Sequence, residues 1–159
     1  MAITIKKISY QNKKDARILE TVLKNWFKDP KELNLTSPNM SYPFNFKKWV
    51  ALTDANQENH SFVMKSEDWI IGIGSLRITP DSKRAHAYHI FIDPEYRQKG
   101  LAEKMVRHLE LLGRSEKMEV ITLRVVPKNK PAVKLYKKLG FEETASNKRK
   151  GLFFEKKLN

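Results

Sequence analysis

Residues 89–106 read HIFIDPEYRQKGLAEKMV, and the form they take decides the architecture. An apolar run closes at Asp93-Pro94, where proline ends a strand ladder. Leu101, Met105 and Val106 follow at helical spacing, continued by Leu109 and Leu112 with an expected stop at Gly113 or shortly after it. The pattern is strand, short charged turn, helix. Such a junction holds the parts of an anion site, because the first N–H groups of a helix lack internal partners and carry the positive end of its dipole. Gly100 lets a ligand approach the backbone, and Ala102 keeps the first helical turn free of bulk. Arg97 and Lys99 add charge or are simply solvated. The turn lacks both the GK[ST] ending of a Walker loop and the GxGxxG run of a dinucleotide site. By itself it also reads as an ordinary charged turn before a helix.

Outward from this junction the rest of the chain falls into order. Ile3, Ile5 and Ile8 suggest a first strand. From Lys13 to Phe27, residues Ile18, Leu19, Val22, Leu23, Trp26 and Phe27 recur as one buried helical face, with Asn12 or Asp15 as cap. Asp29-Pro30 reads as its end and 29–43 as a loop rich in Pro, Asn and Ser, before a short helix in FNFKKWVAL. Strands follow at Ser61–Lys65, at Trp69–Ile78 and at Ala85–Ile92. Gly72 and Gly74 mark a bulge or a close backbone approach in the second of these. Beyond the decisive helix, the β-branched run Val120–Val126 reads as a buried strand. Ala132, Leu135, Tyr136 and Leu139 give another helical stripe, stopped by Gly140. The C-terminal segment reads as a hairpin turning near Asn147 to Gly151. The order β-α-α-β-β-β-α-β-α-β-β, without repeat or linker, is that of one mixed α/β domain over residues 1–159.

Composition narrows the chemistry. With 159 residues the chain can bury a real core, and no apolar run nears the roughly 20 residues needed to span a bilayer. MAITIKKISY carries neither a secretory h-region nor a myristoylation glycine, so a cytoplasmic protein without membrane contact is expected. The absence of cysteine excludes disulfides, thiolate catalysis and Cys-ligated zinc, and no metal is expected. A formal charge of +13 suits a polyanionic partner, such as a phosphorylated cofactor, nucleic acid or the ribosome, or else serves solubility. The basic residues are spread through patterned segments rather than gathered in a tail, which weakens the case for a disordered nucleic-acid arm.

Two segments together carry a resemblance. HIFIDPEYRQKGLAEKMV resembles the acetyl-CoA-binding segment of the GCN5-related N-acetyltransferase (GNAT) superfamily, whose pattern Arg/Gln-x-x-Gly-x-Gly/Ala is met by Arg97, Gly100 and Ala102. VPKNKPAVKLYKKLGF, residues 126–141, resembles the second cofactor segment, with Asn129, Tyr136 and the Leu139-Gly140-Phe141 ending. The resemblance implies a mixed, mostly antiparallel sheet with splayed central strands and flanking helices. It also implies transfer of acetyl from acetyl-CoA to a primary amine of a small molecule, protein or peptide. Residue by residue, it places the pyrophosphate on the backbone of Arg97, Gln98, Lys99, Gly100, Leu101 and Ala102. The pantetheine arm then lies along Ile90, Phe91 and Ile92, with Asn129 bonding the arm, and Tyr136 is the acid for the leaving thiolate. Asn129 is equally suited to cap the helix that Pro131 begins, and Tyr136 to be a core aromatic.

The resemblance leaves the general base open. Many relatives carry a glutamate where His86 stands, and His86 offers a base with a pKa close to working pH. The branch that acetylates ribosomal-protein N-termini has a glutamate five residues before the asparagine, where this chain has Arg124. His89 is the neighbouring candidate, sent by strand alternation to the opposite face. Asp93 and Glu95 read as turn formers. The loop 29–43 and the second helix are where the acceptor is expected, with Tyr42, Phe44, Phe46 and Trp49 either lining a pocket or joining the core. Two other classes stay open at this point: a non-catalytic acyl-CoA-binding regulatory module, and a basic ribosome- or RNA-associated domain. The strand LFFEKKL either completes the monomer's sheet or forms a homodimer edge.

Overall fold

The computed structural model describes residues 2–54, 58–144 and 151–158. Strand β1 (Ile3–Ile8) leads into helix α1 (Lys13–Trp26), which Asn12 caps by accepting the Asp15 N–H; Leu19, Leu23 and Trp26 form its buried face. The segment read as a loop opens with a second helix, α2 (Pro30–Thr36). Asp29-Pro30 does end α1, but Asp29 then accepts the Lys31 N–H as N-cap and Pro30 takes the first helical position, where its missing N–H costs nothing. Helix α3 (Phe46–Asp54) follows, then β2 (Glu58–Ser66), β3 (Trp69–Thr79) and β4 (Arg84–Ile92). A 3₁₀ turn (Pro94–Tyr96) leads to α4 (Leu101–Ser115), β5 (Val120–Val125), α5 (Lys130–Lys138), β6 (Glu142–Glu143) and β7 (Leu152–Lys157). Helix α4 ends at Ser115, shortly after Gly113, as expected; a Cβ at Gly113 would lie 2.9 Å from the Leu158 side chain, so glycine lets Leu158 pack against the helix. The expected hairpin turn at 147–150 lies outside the described residues.

The seven strands form one sheet in the order β1-β2-β3-β4-β5-β7-β6, antiparallel except for the β4–β5 pair. LFFEKKL is therefore an interior strand, bonded to β5 along its length and to β6 on its other side. One face of the sheet carries α4 and α5 over a core that includes Leu76, Ala87, Met105, Leu109, Ile121, Tyr136 and Phe154. The other carries α1 to α3 over Leu23, Phe27, Leu33, Trp49, Ile73 and Phe91. Three of the aromatics expected at a pocket belong to this second layer: Trp49 is fully buried, and Phe44 and Phe46 pack against it. Tyr42 is exposed and donates to the Lys28 carbonyl. Glu110, buried on α4, is matched by Lys156 of β7, whose ammonium lies 2.9 Å and 3.1 Å from its two oxygens. That pair ties the C-terminal strand to the central helix. Among the described residues no helix is long and apolar enough to cross a membrane.

Candidate active site

The turn after β4 is held by local bonds and by two ties to the helical layer, from Trp26 of α1 and Glu32 of α2. Asp93 accepts the Glu95 N–H at 2.9 Å through one oxygen, and the Trp26 indole N–H of α1 at 3.1 Å through the other. Arg97 folds back over the turn: its Nε donates to the Ile92 carbonyl at 2.9 Å, and its guanidinium pairs with Glu32 of α2 at 3.0 Å. The arginine of the motif therefore acts here as a staple, and the charge it brings is already matched. Gln98 and Gly100 both take the left-handed conformation, with φ of 62° and 74°. Gly100 caps α4 without a side-chain bond, and the first intrahelical bond runs from Lys104 N to Gly100 O. The N–H groups of Leu101, Ala102 and Glu103 are thus left facing outward. A Cβ on Gly100 would meet nothing within 4 Å, so the ground over the turn is open. Glu103, the acid of the first turn, bonds Arg107 at 3.1 Å and Lys138 at 3.4 Å, and the Arg107 bond above all holds its carboxyl below the ordinary range. Its charge is thereby balanced, leaving the helix N-terminus electropositive.

Beside this turn the sheet opens. The β4–β5 ladder covers only Arg84 to His86 against Val120 to Thr122, so Ile90, Phe91 and Ile92 share no pairing with β5. Their register with β3 also slips: Tyr88 faces Ser75 and Phe91 faces Ile73, leaving His89 and Ile90 opposite Gly74 alone. His89, at φ 52°, is the extra residue of the bulge. Gly74 is required there for packing, since a Cβ would fall 2.7 Å from the Met105 side chain of α4. Bulge and splay together leave the backbone edge of Ile90 to Ile92 without a strand partner on the β5 side, where the Ile92 carbonyl accepts from Arg97 Nε.

The wedge widens into a cavity of about 380 Å³, lined by Leu35 to Asn39 after and within α2, by Leu52, and by Arg77, His86, Tyr88, His89 and Arg124. The 29–43 segment and α3 therefore do border it, as expected, but through other residues than the aromatics singled out. The bulge also reverses the alternation in β4. His89 was expected on the face opposite His86; the left-handed step brings both to the cavity wall. His86 Nδ1 lies 2.8 Å from the Thr122 hydroxyl, which reaches the Ala85 carbonyl at 3.3 Å. Burial first, then the cations Arg77 and Arg124, press its pKa down to about 4. This replaces the expectation of a pKa close to working pH. His89 stacks on Trp49 at 3.8 Å and bonds Ser37 at 3.1 Å, and burial with Arg77 holds its pKa near about 3. Both imidazoles are uncharged at neutral pH.

Asn129 caps α5, its side-chain oxygen accepting the Ala132 N–H at 3.4 Å. Tyr136 lies buried in the α4–α5 layer, its ring edge-on to Phe141 at 5.8 Å, and burial pushes its pKa up to about 12. His86 and Tyr136 are not brought together: His86 lines the cavity, whereas Tyr136 is buried in the α4–α5 core. Ala87 and Val125, core residues of the Tyr136 layer, line the cavity from that side. The cavity residues that sequence reasoning passed over are Arg77, Tyr88 and Ser37. Arg77 was signalled only by register, as the cross-strand partner of His86. A separate trio, Glu58, His60 and Glu116, brings ligand atoms within 4.8 Å of one another away from the cavity, but the Lys7 ammonium sits 2.9 Å from His60 Nδ1.

A family model described as "Acetyltransferase (GNAT) family" matches residues 21–141. The human protein N-acetyltransferase 8 is 29% identical over 90 residues, which are 54% of this chain and 40% of that protein, so the chain spans well under half the length of this curated relative. Among solved structures, the PaiA N-acetyltransferase of Thermoplasma acidophilum in complex with coenzyme A superposes with a TM-score of 0.73 at 19% identity, covering 99% of each chain. The spermidine N-acetyltransferase of Vibrio cholerae, in complex with CoA and spermine, gives 0.72 at 20% identity over 96% of this chain and 92% of that one. At these identities the structural likeness shows a shared fold.

Proposed function

We propose, from the premise that the chain belongs to the acetyltransferase (GNAT) family, that it moves the acetyl group of acetyl-CoA to the primary amine of an acceptor by direct attack within a ternary complex. The observation that carries this reading is the meeting of an open, left-handed turn at the α4 N-terminus with the unpaired edge of β4. The turn offers aligned N–H donors for a pyrophosphate, chiefly those of Leu101, Ala102 and Glu103. Arg97, tied to Ile92 and Glu32, would hold the turn's shape rather than grip a phosphate. The edge at Ile90 to Ile92 suits the amide-bearing arm of CoA as an added strand, and Asn129 would bond the arm while it caps α5. The amine lone pair forms the N–C bond, a β4 backbone N–H stabilises the oxyanion, and the C–S bond breaks. The amine's proton leaves, and the sulfur receives a proton or a hydrogen bond from Tyr136. A route through an acetylated cysteine is closed, because the sequence has none.

His86 enters this scheme in a changed role. When Thr122 donates to the Ala85 carbonyl, the imidazole Nδ1–H is the donor to Thr122, and Nε2 keeps its lone pair. Such a nitrogen can orient the amine or pass its proton to water, although a group of pKa about 4 holds a proton poorly. Arg77 and Arg124 beside it favour the uncharged amine that attack requires. His86→Ala is therefore expected to lower kcat/KM about 10-fold, toward the small end of acid–base effects. Neither wild type nor variant should show an ionisation near 6.5 that belongs to this residue. An acid limb near that value which vanishes in the variant would contradict the reading. The same depressed pKa has a stability sign: the unfolded chain takes up a proton between about 6.5 and 4 that the folded one refuses, so acidification through that window weakens the fold. The reaction itself is tested by amine-dependent release of CoA thiol, matched by N-acetylated product.

A further inference from the structure

The cavity that borders the β4 edge has a charge character of its own. Arg77 faces His86 in register, donates to the Leu52 carbonyl at 3.3 Å and covers the Tyr88 ring at 4.7 Å. Its buried Nε has no hydrogen-bond partner among the described residues. Arg124 approaches from β5, its guanidinium 5.0 Å over the Phe153 ring. Arg84, Arg97, Arg107 and Arg114 each face a glutamate, whereas Arg77 and Arg124 have no ion pair among the described residues. Among the described residues lining the cavity there is no Asp or Glu, and its histidines are uncharged. Both arginines line the same cavity, Arg77 from β3 and Arg124 from β5.

We propose that the acceptor is a small amine bearing a carboxylate a few bonds from its amino group, with the carboxylate received between Arg77 and Arg124. This deepens the acetyl-transfer reading and rests on it. Charge-assisted bonds from a guanidinium to a carboxylate are among the strongest available to a site, and the unpartnered Nε supplies a donor with no other use. A polyamine brings further positive charge into a cavity whose described lining holds two arginines and no acid. At about 380 Å³ the space lies at the small end of ligand sites, which fits an amino acid. Two cations against one carboxylate leave a net positive field, so the amino group is still favoured in its uncharged, nucleophilic form.

The test compares amino acids with their own carboxamides, and with polyamines, as acceptors for thiol release from acetyl-CoA. The amide begins with the larger uncharged fraction of amine, so any preference for the acid reflects recognition of the carboxylate. The best amino acid is expected to exceed its amide in kcat/KM by about 30-fold, the size of one or two charged hydrogen bonds. Arg124→Gln, on an exposed strand position, should raise KM for the acid about 10-fold more than KM for the amide, and leave CoA affinity unaltered. Arg124→Lys should restore part of the loss. The acid, and not the amide, should raise the thermal midpoint of the CoA-bound protein. Amides or polyamines used as well as acids, or Arg124→Gln acting equally on both, would overturn the proposal while acetyl transfer stood. A chain that binds CoA and acetylates no amine at all would overturn the transfer reading, and this proposal with it.

Discussion

Tyr136→Phe is expected to lower kcat by about 100-fold, with CoA affinity and the thermal midpoint close to wild type. The ring sits in the α4–α5 core against Phe141, and phenylalanine keeps that packing while removing only the hydroxyl. Burial sets the hydroxyl's proton affinity above the ordinary phenol value, at about 12. Taken alone this makes Tyr136 a weaker acid than a surface tyrosine. A thiolate released into the same desolvated place has its own pKa raised by the same cause, so the mismatch narrows. The hydroxyl stays protonated at every working pH and is ready to donate as charge develops on sulfur. Replacement should therefore act on kcat rather than on KM for acetyl-CoA, as for an interaction made only in the transition state. An unchanged kcat would remove Tyr136 from the chemistry and leave it a core residue.

Gly100→Val should weaken CoA binding by about 100-fold or more without unfolding the protein. Valine's β-branch is poorly accommodated at the φ of 74° observed here, so the turn must flip and carry the helix N–H groups out of line. Nothing in the protein itself opposes the added atoms, because no atom lies within 4 Å of a Cβ at this position. Gly100→Asn separates two causes. Asparagine tolerates the left-handed conformation, so it retains the turn and adds only bulk over it. An intermediate loss, about 10-fold, is expected there by close approach alone. Lys99→Ala should cost only a few-fold, since its ammonium lies out over the Tyr96 ring at 5.6 Å. Equally mild effects for all three would mean that the turn does not hold the pyrophosphate.

How much of this was legible in the chain follows from the range of the forces involved. The strand–turn–helix junction, the helical stripes and the glycine bulge are local patterns, and the structure places them where the residues imply. The start of α2 was misread because Asp29-Pro30 is at once a stop for one helix and the cap and first residue of the next. Gly113 marks the last turn of α4, but what makes glycine fit there is the packing of Leu158, 45 positions along the chain, which no local pattern shows. The side of His89 depends on a left-handed step in mid-strand, which no composition signal announces for a histidine. Arg97 carries the motif, but its ion-pair partner Glu32, 65 positions away, is fixed only by tertiary structure. The depressed pKa of His86 and the Arg77 Nε left without a hydrogen-bond partner among the described residues depend on which strands lie side by side, so periodicity alone does not reveal them.

The most direct test of the central claim is thiol release from acetyl-CoA, measured against acceptor amine with the N-acetylated product quantified in parallel. Direct transfer in a ternary complex predicts thiol and acetylated amine in equal amounts, with initial-rate lines that intersect when both substrates are varied. CoA binding accompanied by no amine-dependent thiol release, for any amine in the series, would contradict it.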